Sequence, residues 1–430
     1  MSTIPLPVAT TRWRRLRPII AATVGCLLEW YDFAVYGYFA VVIAKLFFPT
    51  GSDWTSLLLA VATFGVGFAM RPVGALVLGT LADRPGRKAA LSLTITTMVF
   101  GTALIAFAPT HAQIGLWAPV LIVIGRLIQG FSAGGEMGVA TAWLVEYAGP
   151  GRRMLQASFQ QMTQLTALLA GSLTGALVTG LLSPAEVEAW GWRVPFMVGL
   201  VIGPIGWYIR RHTEEPPEFA ARQAARHPQA PRISPGHVIR THPRAALAGF
   251  CITILWTICT YFFLVYMPTY AIRELGIAAD GALISNALAL AVAVLFVPGF
   301  AILADRRGPK PVMTAAALVL LAASWPALAT LTSFPQLPTL ILVQAALAIP
   351  IAAFTGPAGG AMAGLFPPET RATGMSIAYN FAVTLFGGFA PFIATWAIGV
   401  TGDPHAPAWY LCFGAAAAVI GVRLMGGRRG

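Results

Sequence analysis

Charged residues are scarce in this chain. Of its 430 residues only 10% are Asp, Glu, Lys or Arg, whereas 57% are hydrophobic. A water-soluble globular protein needs roughly a quarter of its residues charged to cover its surface. The composition therefore excludes a soluble globule and predicts an integral membrane protein surrounded by the lipid bilayer.

Cysteine and histidine are also few, with four and six residues. The cysteines lie inside apolar runs and form neither a CxxC pair nor a cluster with histidine. We interpret them as small packing residues, which predicts neither a disulfide nor a metal site. No nucleophile with a nearby base and no phosphate-binding loop stands out. The sequence thus argues against an enzyme, and we expect no cofactor.

Long apolar runs fill the chain instead. A helix needs about 20 apolar residues to cross a bilayer, and proline, glycine and charge divide this chain into twelve such runs. They are residues 19–47, 56–81, 89–108, 116–146, 155–182, 193–210, 245–271, 280–304, 311–332, 337–365, 373–400 and 408–425. They predict an all-α integral membrane protein with twelve transmembrane helices.

The Lys and Arg residues are distributed unevenly between the two sides of this topology. Most of the 28 fall on the side that also holds both termini, and basic residues concentrate in cytoplasmic loops. We therefore expect a multi-pass membrane protein with both termini cytoplasmic. Basic loops beside an anionic leaflet also account for the net charge of +12 without a nucleic-acid partner.

Residues 211–244 separate the twelve runs into six and six. This stretch is rich in Pro, Arg and His, which predicts a cytoplasmic linker with a short surface helix near residues 217–226. LADRPGRK in the first part recurs as LADRRGPK in the second, and RRMLQAS is echoed by TRATGMS at nearly the same spacing. These echoes predict two pseudo-symmetric six-helix bundles, residues 1–210 and 245–430, with a binding site between them.

The motifs resemble the major facilitator superfamily, whose loop signature matches GTLADRPGRK (residues 79–88). Further segments are similar to the metabolite:proton symporters of that superfamily. They are LLEWYDFAVYGYFA (27–40), MRPVGALVLG (70–79), GRLIQGFSAGGEMG (125–138), WGWRVPF (190–196) and ETRATGMSIAYN (369–380). Within that family, VYMPTY (265–270), FGGFAP (386–391) and VTGDPHAPAWYL (400–411) look most like the citrate and tricarballylate proton symporters.

This resemblance implies a transporter that imports a tricarboxylate such as citrate together with protons, by alternating access and as a functional monomer. The alternative is a symporter of the same family for a dicarboxylate, 2-oxoglutarate, shikimate or a zwitterion such as proline or betaine. A zwitterion needs an aromatic or anionic seat for its cation, which Glu29, Trp30 and Tyr31 would supply.

Acidic side chains inside the first run are candidates for proton coupling. Glu29, Asp32 and Tyr36 share one helix face at spacings of three and four. An ionised group at mid-bilayer must face a cavity, pair or titrate. We expect Glu29 or Asp32 to carry a proton and Tyr36 to contact substrate. The alternative is that both carboxylates are permanent partners of intramembrane arginines.

Two arginines lie in predicted spans, Arg71 in the second and Arg126 in the fourth. A guanidinium binds a carboxylate bidentately, which predicts substrate contacts for both and for Gln129 on the same helix face as Arg126. Glu136 further along that face is a third candidate proton carrier. Internal ion pairs with Glu29, Asp32 or Glu136 are the alternative.

The second half offers uncharged polar residues within its spans. Of these, Tyr261, Tyr379 and Asn380 are the candidate substrate contacts, with plain packing as the alternative.

The resemblance implies a gating role for the charged loop motif, which latches the two halves of superfamily members together. The alternative is a solvated loop. The candidate gating residues are Gly79, Asp83, Arg84, Gly86, Arg87, Lys88, Asp305 and Arg371.

Overall fold

The computed structural model describes residues 26–82, 87–134, 141, 144–145, 148, 151–211, 235–367 and 370–426. Helices dominate this part of the chain and form twelve segments. Their ends follow the predicted spans to within a few residues, except that the predicted start of the first span and end of the fourth lie outside the described residues. The first six, which we call the first half, are α1 (Cys26–Tyr38 and Ala40–Phe47), α2 (Asp53–Ala69 and Arg71–Ala82), α3 (Arg87–Ala106), α4 (Trp117–Ala133), α5 (Arg153–Leu181) and α6 (Arg193–Arg211).

The second half, as we call it, consists of the last six segments along the chain. Its helices are α7 (Pro243–Ile258, a π-helical stretch Cys259–Tyr266, and Met267–Glu274), α8 (Ala279–Arg307), α9 (Pro309–Ser333), α10 (Leu337–Ala363), α11 (Arg371–Ala382, a π-helical stretch Val383–Gly388, and Ala390–Thr401) and α12 (Pro407–Leu424). Short helices His111–Ile114 and Pro184–Glu186, the latter continued by a π-helical turn Val187–Gly191, connect spans of the first half.

Eight of the described helices are individually long and apolar enough to cross a membrane, and α1 makes a ninth although it bends by 66° at Phe39. Shorter apolar stretches belong to α3 and α4. These helices confirm the prediction of an all-α membrane protein. The apolar runs form helices because in lipid they have no other way to satisfy their backbone hydrogen bonds.

The predicted linker departs from expectation in one place. Residues Pro235–Thr241 form a helix that packs against α7 and α11, with Val238 buried. The apolar Val238 gives this short segment a reason to dock on the bundle. The surface helix predicted near residues 217–226 lies outside the described residues.

The two halves meet mainly where α5 packs against α8 and α10, and where α2 packs against α11. We call the end of the bundle that holds Ala82 and Asp305 the motif face, and the opposite end, with Asp53 and Glu274, the far face. Gly308 at the motif face has φ +87°, a conformation that costs glycine little. It lets a single residue join α8 to α9.

Candidate substrate and proton site

Four ionisable side chains that the sequence singled out lie buried together in the first half. They are the α1 carboxylates Glu29 and Asp32, Arg71 of α2 and Arg126 of α4. Asp32 and Arg126 are 0% exposed. Since an isolated charge at mid-bilayer costs at least ~2.5–3.5 kcal/mol, the partners of these groups determine what the site can do.

Arg71 has a carboxylate partner. Its Nη2 donates to Oε1 of Glu29 in a buried ion pair. Its guanidinium carbon also lies 5.2 Å from the ring centre of Trp30, 5.1 Å from that of Phe33 and 4.6 Å from that of Phe68. The charge of Arg71 is therefore balanced inside the protein, which is the internal pairing that the sequence left open.

Among the described residues no carboxylate is bonded to Arg126. Its Nη1 donates to Oε1 of Gln129 over 2.9 Å, and Nε2 of Gln129 donates to the hydroxyl of Thr102 over 3.0 Å. The Thr102 hydroxyl in turn bonds Oδ2 of Asp32. A chain of three hydrogen bonds thus connects Arg126 to Asp32 through two neutral side chains.

Several polar atoms at the site have no hydrogen-bond partner among the described residues. They are Nε and Nη2 of Arg126, Oδ1 of Asp32, Nε of Arg71 and the hydroxyl of Tyr261. A buried donor left unpaired costs about 1–3 kcal/mol, and more when it is charged. The two unpaired nitrogens of Arg126 have the fork geometry that donates two hydrogen bonds to one carboxylate.

Aromatic rings surround the two guanidinium groups. Phe33 contacts both, with its ring centre 4.3 Å from the guanidinium carbon of Arg126 and 5.1 Å from that of Arg71. Tyr36 and Phe64 cover Arg126 at 4.6 and 5.1 Å. Cation–π attraction contributes about 2 kcal/mol or more where water is excluded, so these rings help to keep two like charges in one buried site.

Glycines bring the backbones of the first half close enough to assemble the site. A methyl group at Gly130 of α4 would lie 1.6 Å from the carbonyl oxygen of Gly67 in α2, and one at Gly134 would lie 2.0 Å from that of Arg71. On α6, a methyl group at Gly199 would lie 2.3 Å from Oδ1 of Asp32. This is the small-residue packing expected of helices in lipid.

The second half contributes aromatic and amide groups. The ring of Tyr261 packs 5.1 Å from Phe68, and the side chain of Tyr379 interacts with Arg71. Both predicted tyrosines therefore reach the charged site across the interface. Asn380 instead donates to the backbone carbonyl of Gly134 over 3.3 Å, so its amide ties the halves together in this conformation.

At the far face a polar network crosses between the halves. Nδ2 of Asn286 on α8 lies 3.1 Å from the hydroxyl of Tyr38 and 3.3 Å from that of Ser172, both in the first half. Gln344 of α10 donates to Oδ1 of Asn286 over 3.4 Å and accepts from Ser285. Trp54 adds a bond from α2 to the carbonyl of Thr395.

At the motif face Asp305 closes the interface. Its carboxylate accepts from the backbone nitrogens of Met154 and Leu155, over 2.9 and 3.0 Å, in the first turn of α5. An acidic side chain is favourable there because the amino end of a helix carries partial positive charge. Of the predicted gating residues, Asp305 thus bridges the halves, whereas Arg371 donates to the carbonyl of Ala363 within its own half.

The remaining gating candidates fall largely outside the described structure. Asp83, Arg84 and Gly86 lie outside the described residues, as does Glu136, the third proposed proton carrier. Gly79 lies in α2, and Arg87 and Lys88 begin α3, but their side-chain surroundings are not part of the description.

Some residues at the site gave no signal in the sequence. Thr102 bonds Asp32, and Phe33 contacts both arginines. Trp256 donates to Gln161 of α5 over 3.0 Å and packs on Tyr379. A lone threonine or phenylalanine in an apolar run is normal packing material. The only available hint was the glutamine-rich QQMTQ segment around Gln161.

The two-half helical architecture with a buried charged site at its interface defines a solute transporter of the major facilitator type. Solved structures share this fold. A D-xylose-proton symporter aligns with a TM-score of 0.75 and 18% identity, covering 96% of this chain and 98% of that one. The xylose transporter XylE from E. coli, in a partially occluded inward-open conformation, gives 0.78 at 17% identity, with 96% and 98% covered.

Sequence comparison supplies the family. The family model for "Sugar (and other) transporter" matches residues 18–235 and again residues 218–425. The chain belongs to this transporter family of the major facilitator superfamily, and it is an integral membrane transporter rather than an enzyme.

Curated relatives match almost end to end. The citrate-proton symporter of Klebsiella pneumoniae is 37% identical over 96% of this chain and 93% of its own length. The citrate-proton symporter of Salmonella typhi is 36% identical over 97% of both. The proline/betaine transporter of Salmonella typhimurium is 32% identical over 92% of this chain and 80% of that protein.

Proposed function

We propose that this chain is a proton symporter that imports a tricarboxylate such as citrate by alternating access. The observation that carries the proposal is Arg126, a buried arginine whose Nε and Nη2 have no partner among the described residues. The symporters named for citrate, at 36–37% identity, support the same substrate class.

The aromatic surroundings favour an anion over a zwitterion. The rings of Trp30 and Phe33 lie beside Arg71, and Glu29 is already paired with that arginine. Tyr31 donates its hydroxyl to the carbonyl of Pro195. The position that a quaternary or secondary ammonium group would occupy is thus taken by the guanidinium of Arg71. The relative named for proline and betaine makes the zwitterion an alternative to test.

In the proposed site Arg126 binds a substrate carboxylate, and Tyr36, Tyr261 and Tyr379 line the anion's surroundings. Arg71 exchanges Glu29 for substrate during the cycle, and Gln129 keeps Arg126 in place. Asp32 carries the coupled proton, with Glu29 as the second candidate. Asp305, together with the loop motif that begins at Gly79, latches the motif face.

Coupling is an energetic requirement for this substrate. A membrane potential that is negative inside opposes anion entry by ~2.3 kcal/mol per charge per 100 mV. Protons that enter with the anion reduce the transported charge. We propose that the motif face is cytoplasmic, that both termini lie there, that the membrane is a bacterial inner membrane, and that the functional unit is a monomer.

The test is uptake of labelled citrate into proteoliposomes that hold the purified protein, under an imposed pH gradient, with proline and 2-oxoglutarate as competitors. We expect accumulation that collapses when the gradient is dissipated and that excess unlabelled citrate suppresses. Failure of labelled citrate to accumulate, with labelled proline or 2-oxoglutarate accumulating under the same gradient, would reassign the substrate.

Variants of Arg126 test the observation on which the proposed function rests. Arg126→Ala is expected to lose citrate uptake by at least about tenfold, the size of one lost charge-assisted contact, and Arg126→Lys to recover it only in part because lysine lacks the fork. Arg240→Ala, on the exposed helix Pro235–Thr241, is the matched control. Normal uptake by Arg126→Ala would remove Arg126 from the site.

A further inference from the structure

Thr102 on α3 stands at the centre of the buried network. Its hydroxyl contacts three groups: Oδ2 of Asp32, the backbone carbonyl of Met98 at 3.0 Å and Nε2 of Gln129 at 3.0 Å. A hydroxyl carries one donor and two acceptor positions. It therefore cannot donate to Asp32 and Met98 at the same time.

The direction of one bond is fixed by Arg126. A guanidinium only donates, so the atom of Gln129 that Nη1 of Arg126 contacts must be its amide oxygen. The amide nitrogen of Gln129 then necessarily points to Thr102 and donates to its hydroxyl oxygen. One acceptor position of Thr102 is thus occupied whatever the state of Asp32.

The donor position and the second acceptor position of the Thr102 hydroxyl suit the ionised and the protonated state of Asp32, respectively. An ionised carboxylate only accepts, so Thr102 donates its proton to Oδ2. When that oxygen carries a proton, Asp32 donates to Thr102, and the hydroxyl turns its own proton to the carbonyl of Met98. In both states the hydroxyl proton has an acceptor, and the second acceptor position of Thr102 is filled when Asp32 is protonated.

We propose that Thr102 is the positioning residue of proton coupling, a hydroxyl switch that lets Asp32 take up and release a proton in a sealed site and ties its state to Arg126 through Gln129. This inference rests on the proposed symport. It assigns Gln129 to the network between anion and proton sites rather than to direct substrate contact.

The surroundings of Asp32 make a neutral partner necessary. Among the described residues, the charged or titratable groups that act on it are Arg126 from α4 and Tyr31 on its own helix. On the remaining described neighbours, α3 presents Thr102 and α6 presents Gly199 against Oδ1. Thr102 is thus the group placed to serve both protonation states.

The test compares Thr102→Val, which keeps the shape and removes the hydroxyl, with Thr102→Ser, which keeps the hydroxyl. Citrate counterflow, with equal pH on both sides, is measured across a pH series, and gradient-driven accumulation is measured beside it. Thr166→Val is the matched control, because the Thr166 hydroxyl bonds only within its own helix, to Met162, and is exposed.

Thr102→Val removes the hydrogen bond to ionised Asp32, which makes the ionised form less stable. Asp32 therefore keeps its proton up to a higher pH. For Thr102→Val we expect the alkaline midpoint of counterflow to move up by about one to two pH units, the size of one hydrogen bond to a charged group. Counterflow at low pH should persist, while gradient-driven accumulation should fall by about tenfold or more. Thr102→Ser should keep the wild-type profile.

Four outcomes are decisive. An unchanged midpoint in Thr102→Val, or the same shift in Thr102→Ser, overturns the switch, since a packing role would not follow the hydroxyl. Loss of counterflow at every pH in Thr102→Val, with Thr102→Ser normal, also overturns it, because the hydroxyl would then be needed for binding. Failure of the wild-type protein to move citrate would instead reject the proposed function itself.

Discussion

The amide nitrogen of Asn286 and the hydroxyl of Tyr38 lie 3.1 Å apart across the boundary between the two halves. Both side chains are buried, and the same amide reaches the hydroxyl of Ser172 on α5. One residue of the second half thus holds two helices of the first. These hydrogen bonds must break whenever the far face opens.

Asn286→Ala is expected to increase the population that is open at the far face. The variant leaves Tyr38 and Ser172 without this partner, and a buried hydrogen bond contributes about 0.5–1.5 kcal/mol, enough to change a two-state ratio several-fold. Spin labels at the exposed positions Thr50 and Ala278, in a background without the four cysteines, would report the distance. Thr401→Ala, which loses bonds to Ala397 and Asp403 of its own half, should leave the distribution unchanged.

Asp305→Asn is expected to loosen the motif face. The neutral side chain still accepts a hydrogen bond but no longer offers a charge to the amino end of α5, an interaction of about 0.3–1 kcal/mol at exposed sites. Labels placed on that face should show a larger open population. Asp280→Asn, at the opposite end of the same helix α8, is the control, and an equal response in both would show that the contact with Met154 and Leu155 is not the cause.

The Glu29 and Arg71 pair should behave as a unit. Glu29→Gln leaves a buried guanidinium without its carboxylate, and breaking a buried pair in this way costs about 3–5 kcal/mol. We therefore expect Glu29→Gln to lower strongly the midpoint temperature of thermal unfolding in detergent. The double variant Glu29→Gln, Arg71→Gln should lower it by less than the sum of the two single changes. Additive effects would mean that the pair is not energetically coupled.

Gly130→Ala should prevent assembly of the first half. The added methyl group would overlap the carbonyl of Gly67, and backbone atoms cannot move aside as a flexible side chain can. We expect little monodisperse protein after extraction in detergent. Gly299→Ala on α8 is the matched control, since a methyl group there has nothing within 4 Å and alanine is the better helix former by about 1 kcal/mol.

The helices were predictable because lipid leaves the backbone few choices. Runs of apolar residues bounded by Pro, Gly and charge gave the spans from α5 to α12 with small errors at their ends. The same reasoning anticipated that Glu29, Asp32, Arg71 and Arg126 would gather at one site, since each is costly elsewhere. It gave no basis for choosing between ion pairing and substrate contact.

The pairing itself depends on helix rotation and close approach, which no single sequence encodes locally. That Arg71 pairs with Glu29 while Arg126 reaches Asp32 through neutral groups follows from where Gly67, Gly130 and Gly199 allow backbones to meet. Thr102 escaped notice because threonine in an apolar helix commonly bonds its own backbone, and here it does that as well.

Simultaneous closure at both faces has a bioenergetic consequence. In this conformation Asn286 and Asp305 each hold the halves together, and within the described residues the side chain of Asp32 is inaccessible to solvent. If Asp32 carries the coupled proton, as we propose, that proton exchanges with water only after one of the two contacts breaks. The two contacts would thereby prevent a leak that short-circuits the proton gradient of the membrane.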